Sequence, residues 1–217
     1  MPKFCPFCHT KLVEEESGIL IRCPNLKCPA RSQESLIHFV SKHGFDIKGL
    51  GPRLLKKFVD EHLIVDPADI FSLEEGDLKV LERLGEKSSR NIIKAIENSK
   101  QILLEKFIFA LGIPLVGEEA SREIAKKIKS LGSIKTPNDV LKIAKKLKYD
   151  DWNSLYDFGP KISQSILNYF SSPNTEKLFN KFTERGITIE TEAKIPKSKQ
   201  KLAGLKFVFT GELKSMS

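Results

Sequence analysis

The sequence predicts a mainly α protein in which a small four-cysteine metal module precedes a domain of four helical hairpins. Three observations carry that prediction. All four cysteines fall in the first 28 residues, four glycines recur at domain scale farther on, and each of those glycines is followed by apolar residues at helical offsets. With 217 residues, 40% of them apolar, the chain can bury one sizeable core and a small satellite.

The cysteine module comes first. Cys5-Pro6-Phe7-Cys8 and Cys23-Pro24-Asn25-Leu26-Lys27-Cys28 give C-x2-C, fourteen residues, then C-x4-C. Short gaps of this kind let the chain turn back so that two sulfurs point at one ion, and two such turns supply four thiolates for a tetrahedral structural Zn2+. A closed site has no open position for water and does no chemistry; its work is to fold a segment too short for its own core. The opening Met1-Pro2-Lys3-Phe4-Cys5 lacks the apolar stretch of a secretory signal, and no run approaches the ~20 apolar residues of a membrane span. A cytoplasmic chain is expected, with no membrane partner. In that reducing compartment, metal is favoured over the alternatives of two disulfides or four free thiols. His9, beside the first pair, and His38, His43 and His62 have no partner at metal spacing and read as ordinary residues.

Lys and Arg number 36 against 28 Asp and Glu, a formal charge of +8, which favours a polyanionic partner. Acids interleave with the bases over most of the length, however, so a merely solvated basic surface would show the same balance.

Beyond the cysteines the pattern is helical, and alignment on Gly51, Gly85, Gly117 and Gly159 exposes an internal repeat with spacings of 34, 32 and 42 residues. An apolar residue precedes each glycine (Leu50, Leu84, Val116, Phe158), and an apolar pair follows seven and eight residues later (Phe58-Val59, Ile92-Ile93, Ile124-Ala125, Ile166-Leu167). Adding the third residue after each glycine (Leu54, Ser88, Ala120, Ile162) completes an expected i, i+4 stripe for burial on a preceding helix. Each unit is therefore a helix, a tight hairpin and a second helix. The glycine is expected to supply positive φ or a close backbone approach at the turn. Pro52 and Pro160 stand directly after it, where a helix begins.

A turn of this type leaves free N–H groups at the start of the second helix, with the positive end of the helix dipole behind them. Four such sites on one scaffold match a repeating polyanion, DNA, better than a small ligand, and backbone donors read no base edges. The strict Gly-x-Gly form occurs once, as Gly49-Leu50-Gly51; Arg83, Leu115 and Asp157 hold the first glycine position elsewhere. The first two hairpins look best supplied with cations, Arg53, Lys56 and Lys57, then Lys87, Arg90 and Lys94. The fourth offers Lys161, and Glu118 and Glu119 weaken the third. The candidate DNA contacts are therefore Gly49, Gly51, Arg53, Lys56, Gly85, Lys87, Arg90, Gly117, Gly159 and Lys161, and the metal ligands Cys5, Cys8, Cys23 and Cys28.

These residues resemble the bacterial NAD-dependent DNA ligases over essentially the whole chain. The resemblance rests on Arg22-Cys23-Pro24-Asn25 with Cys28-Pro29-Ala30-Arg31, Ile37-His38-Phe39-Val40-Ser41, and Asp46-Ile47-Lys48-Gly49-Leu50-Gly51. It continues through Gly85-Glu86-Lys87-Ser88, Ala95-Ile96-Glu97-Asn98-Ser99-Lys100, Ala110-Leu111-Gly112-Ile113 and Val116-Gly117-Glu118. It implies a zinc finger over 1–34 and a helix-hairpin-helix domain over 35–187 that helps to encircle nicked duplex DNA in replication and repair. It further implies a linker over 188–201 and, from Leu202-Ala203-Gly204-Leu205-Lys206-Phe207-Val208-Phe209-Thr210-Gly211, the truncated β opening of a BRCT domain over 202–217. Ligases of this family attack NAD with a Lys-x-Asp-Gly lysine, a motif this sequence lacks. Adenylation and oligonucleotide-binding-barrel domains, and with them NAD and Mg2+, are therefore expected in a longer enzyme. This chain, a monomer, is expected to have no catalytic residue and no activity alone. Two other classes stay open. One is a free-standing zinc and hairpin DNA-binding protein. The other is a nuclease subunit, for which Glu14-Glu15-Glu16 and Asp150-Asp151 are the nearest acidic groups, more simply read as solvated charges.

Overall fold

A computed structural model describes residues 2–14, 21–25, 28–79 and 84–192. The segment resembling a BRCT opening, 202–217, lies outside the described residues, as does the linker from 193 onward. Helices dominate, as the glycine repeat predicts. Each hairpin unit supplies two of them: α1 (Pro29–Val40) packs on α2 (Pro52–Asp60), α3 (Glu75–Lys79) on α4 (Glu86–Ser99), α5 (Leu104–Ala110) on α6 (Glu118–Ser130), and α8 (Tyr149–Asn153) on α9 (Pro160–Ser171). A 3-10 helix (Pro67–Ser72) joins the first two units and α7 (Pro137–Ala144) the last two, while α10 (Pro173–Glu184) follows the fourth.

The chain is thus two copies of one arrangement, and the correspondence reaches individual hydrogen bonds. Asp66-Pro67-Ala68-Asp69 opens the first connector and Thr136-Pro137-Asn138-Asp139 the second, each as a capping box with the second acid folded back on the cap amide at 3.0 and 2.9 Å. Side-chain caps of this kind satisfy amide hydrogens that a helix start leaves unpaired. Farther on, Asp77 accepts from the Glu74 amide at 2.9 Å and Asp151 from the Lys148 amide at 2.8 Å. Leu78 and Trp152, the residues after these acids, are both fully buried. Asp151 is therefore a helix cap, and the acidic pair Asp150-Asp151 has no metal-holding geometry among the described residues.

Between the halves runs an aromatic core. Phe182 of α10 stacks on Phe39 of α1 with centroids 5.6 Å apart and meets Phe107 of α5 edge-on at 5.8 Å; Phe179 meets Phe107 at 5.5 Å and Phe170 of α9 at 6.2 Å. The same helix grips both connectors from outside the core. Lys181 reaches Asp66 at 2.5 Å and Asp69 at 3.3 Å, while the Thr183 hydroxyl accepts from the Asn138 amide at 3.3 Å. Buried aromatic area supplies most of the stabilisation here, because exposed ion pairs contribute little.

The small strands mark the ends of this body. β1 (Val13–Glu14) pairs antiparallel with β2 (Ile21–Arg22) in the cysteine module. β3 (Gln101–Leu103) and β4 (Thr188–Glu190) pair in parallel, Ile102 opposite Ile189, with both isoleucines buried. Residues 188–190, in the segment expected to be linker, form β4 against the strand 101–103 of the helical domain. Likewise, the expected boundary at 34 falls inside α1, which begins directly after Cys28 and couples the metal module to the first hairpin without a spacer.

Candidate metal centre and anion-binding turns

Cys5 and Cys8 sit on a tight knuckle in which the Cys5 amide donates to Thr10 O and the His9 amide to Cys5 O, both at 2.9 Å; His9 takes the left-handed φ of 55° that this turn requires. Cys23 and Cys28 lie on the opposing strand exit and at the N-cap of α1, with the Cys28 amide donating to Asn25 O at 3.1 Å. The four sulfurs lie within 4.8 Å of one another, with Cys5 to Cys28 at 3.7 Å and Cys8 to Cys23 at 3.4 Å. Tetrahedral Zn–S bonds of about 2.3 Å put sulfurs about 3.8 Å apart, whereas a disulfide needs about 2.05 Å. The donor set therefore fits zinc, and no disulfide joins any of the four cysteines. The Thr10 hydroxyl, 3.3 Å from Cys8 Sγ, holds that thiol down to about 6, while burial pushes Cys23 up to about 12. Burying a thiolate such as that of Cys23 is unfavourable until a cation compensates it.

The histidines serve packing. His38 Nε2 bonds Phe109 O at 2.7 Å and its ring lies 4.4 Å from that of Phe109, tying α1 to α5; His43 Nδ1 meets Glu118 at 2.8 Å; His62 Nδ1 meets Asp60 O at 3.0 Å.

At the hairpins the glycines play a different part from the one their spacing suggests. Gly51, Gly85, Gly117 and Gly159 are the N-caps of α2, α4, α6 and α9, with φ of −83, −76, −91 and −91°, all accessible to any L-residue. Positive φ sits two residues earlier, at Gly49 (91°), Leu115 (68°) and Asp157 (63°); the equivalent Arg83 lies outside the described residues. Nor does crowding by the protein explain the anchors: a Cβ on any of the four would meet nothing within 4 Å. Only Gly49 fits the original expectation, because it is left-handed and its Cβ would press Ile92 of α4 at 3.2 Å.

What the four anchors share is an uncapped, open helix start. No side chain accepts from the amides behind them, in contrast to the Asp and Thr caps of the connectors. Serine, aspartate or asparagine would ordinarily be preferred at an N-cap. The glycine leaves the amides reachable from outside, with the helix dipole behind them.

The stripe keeps its seventh-residue members, Phe58, Ile92, Ile124 and Ile166, all buried, but its first member comes four residues after each glycine rather than three. Leu54, Ser88, Ala120 and Ile162 are exposed or half-buried, while Leu55, Ser89, Ser121 and Ser163 are fully buried. Each serine donates to the carbonyl of its own cap glycine, at 3.3, 2.8 and 3.1 Å in order. A Gly-x-x-x-Ser signal in three of four units was present in the sequence and marks the position that packs against the preceding helix.

Among the expected cations, Arg53 and Lys87 are exposed and form no ion pair among the described residues. Lys56 pairs with Asp60 at 2.6 Å and Arg90 lies 3.7 Å from Glu75; Lys161 is also engaged within the protein. At the third turn, Arg122 pairs with Glu119 at 2.5 Å and Glu118 at 4.0 Å, and His43 meets Glu118, so the acidic pair there is offset rather than bare.

Comparison with known proteins assigns the same parts. Residues 4–30 match the NAD-dependent DNA ligase C4 zinc finger domain, residues 45–98 the SAM-like helix-hairpin-helix tandem, and residues 106–179 the helix-hairpin-helix motif. A DNA ligase of Pelotomaculum thermopropionicum is 40% identical over 217 residues, all of this chain and 30% of that protein. DNA ligases of Desulforudis audaxviator and Thermosipho africanus are 37% and 38% identical, again over all of this chain and 31% of theirs. The chain thus spans less than a third of the length of these relatives. Among the described residues no helix is long and apolar enough to cross a membrane.

Proposed function

Because the chain belongs to the NAD-dependent DNA ligase family, matching its C-terminal portion end to end, we propose that it grips nicked duplex DNA, without regard to sequence, for an enzyme that seals the nick. The observation that carries this reading is the set of four helix starts capped by glycine where neither φ nor crowding within the protein calls for it. A phosphate oxygen approaching those amides would be excluded by any larger residue. Amide donors and the exposed cations Arg53 and Lys87 meet the backbone of the duplex and leave the base edges unread. Cys5, Cys8, Cys23 and Cys28 hold one Zn2+ that fixes the start of α1 and so the first hairpin. In a longer ligase, NAD would supply the adenylyl group with Mg2+ assisting, and the contribution proposed for this chain is to hold the duplex.

Affinity for a fluorescently labelled nicked duplex, titrated against salt, tests the reading. The slope is set by the cations, at roughly −0.9 for each phosphate neutralised, so Arg53 and Lys87 alone give about −2 and any further lysine or arginine at the duplex steepens it. Two unrelated sequences should bind equally. A flat salt profile, or strong preference between sequences, overturns the proposal.

A further inference from the structure

Two large apolar side chains stand free on adjoining hairpin turns: Leu115, 60% exposed, two residues before the Gly117 cap, and Tyr156, 86% exposed, three residues before the Gly159 cap. The turns are tied, since Ser165 of α9 donates to Pro114 O at 2.7 Å. Leu115 is unusual twice over. Among the described residues with positive φ it is the one aliphatic side chain, the others being glycine, histidine or aspartate. A bulky residue in the left-handed region is strained, and strain without burial in return points to a use outside the folded chain. The hairpin interior does not need it, because the residues just before the cap glycines, Val116 and Phe158, already fill the core at these two turns.

We infer that Leu115 and Tyr156 are apolar contacts that rest on the deoxyribose faces of the duplex backbone, beside the phosphates taken by the Gly117 and Gly159 amides. The inference rests on the DNA-binding reading above. A sugar ring is the apolar surface that flanks every phosphate, and side chains two and three residues from the amide donors reach that distance. Such contacts add affinity that releases no counterions, so they leave no trace in the salt slope. They also serve the third turn, where Glu118 and Glu119 make purely ionic attraction weakest.

The test compares Leu115→Gly, Tyr156→Ser and the double variant with the unaltered chain, binding a labelled nicked duplex at several salt concentrations. The double variant should bind about fivefold more weakly with an unchanged slope, whereas Arg53→Gln should flatten the slope by about 0.9. Leu115→Gly should leave the melting temperature unchanged or raised, which separates lost contact from lost folding. If the double variant binds as tightly as the unaltered chain, or changes the slope, the inference falls while the DNA-binding reading stands. If the unaltered chain itself shows no salt-dependent binding, the earlier reading falls and this one with it.

Discussion

Replacing Gly51 by alanine separates stability from binding. At φ −83° and ψ 167°, ahead of Pro52, the backbone is already where alanine before proline prefers to be, and its Cβ would meet nothing within 4 Å. The folded state therefore accepts the methyl. The N-cap scale places alanine about 0.5 kcal/mol below glycine, which lowers the melting temperature of a chain this size by about 1–2 °C. Binding should respond far more. A methyl at the mouth of the turn displaces a phosphate from donors behind it, and hydrogen bonds to a charged group contribute about 1.5–3 kcal/mol each, or about tenfold to a hundredfold in affinity. Anisotropy with nicked duplex reads the affinity and calorimetry the stability. Gly85→Ala, Gly117→Ala and Gly159→Ala rank the other turns. If all four together bound as well as the unaltered chain, the open amides would have nothing to do with DNA.

Removing zinc with a chelator, or Cys23→Ser, should unfold the N-terminal module while the aromatic core keeps its helical signal and its own melting transition; release of one zinc per chain, read with a colorimetric indicator, checks the stoichiometry. Acid should weaken the connectors. For Asp69 and Asp139 burial alone would raise the carboxyl, but the amides of Asp66 and Val65, and of Thr136 and Lys135, hold each below its ordinary value. The unfolded chain then binds more protons, so this stabilisation is complete above about pH 4 and is lost as pH falls through the folded values. Melting temperatures from pH 6 down to pH 2 should show it, and Asp139→Asn should flatten the profile. Lys181→Met should cost about 0.5–1 kcal/mol, because the lysine is more than a third exposed and water screens its pairs with Asp66 and Asp69. A denaturant midpoint left unmoved by Lys181→Met would remove α10 as a clasp.

The metal site and the hairpins were legible for different reasons. Cysteine spacing encodes geometry directly, since four thiolates in two short loops have few ways to arrange themselves. The hairpins were legible as a period, Gly51 to Gly85 to Gly117 to Gly159, because each glycine opens a helix. Spacing could not say what each glycine is for. Positive φ belongs to Gly49, Leu115 and Asp157; aspartate tolerates it better than most residues, but leucine carries no signal for it. The first member of the burial stripe slipped by one, from Ala120 to Ser121 for example, because a buried serine that satisfies its hydroxyl on its own helix is apolar in effect and polar in composition. The strand Thr188–Glu190 was hidden because its partner, Gln101–Leu103, is remote in sequence and both are too short to show alternation.

The helix starts of the chain are of more than one kind, and the contrast bears on the proposed function. Asp66 and Thr136 close the two connectors and Asp77 and Asp151 the short helices α3 and α8, whereas α1, α5 and α10 begin, like the glycine-capped helices, without a side-chain cap. Every hairpin start is left to glycine, although the same acids would stabilise it. What sets α2, α4, α6 and α9 apart is therefore glycine at the cap, the residue that leaves the amides behind it most open to approach from outside. On the proposed reading, an acid at a hairpin would also place a negative charge beside the phosphate. The third hairpin shows the limit of that rule, since Glu118 and Glu119 are present but held aside by Arg122 and His43. The acids of that turn are partly offset by Arg122, and on the proposed reading a phosphate contact would compensate the stability that each glycine cap gives up.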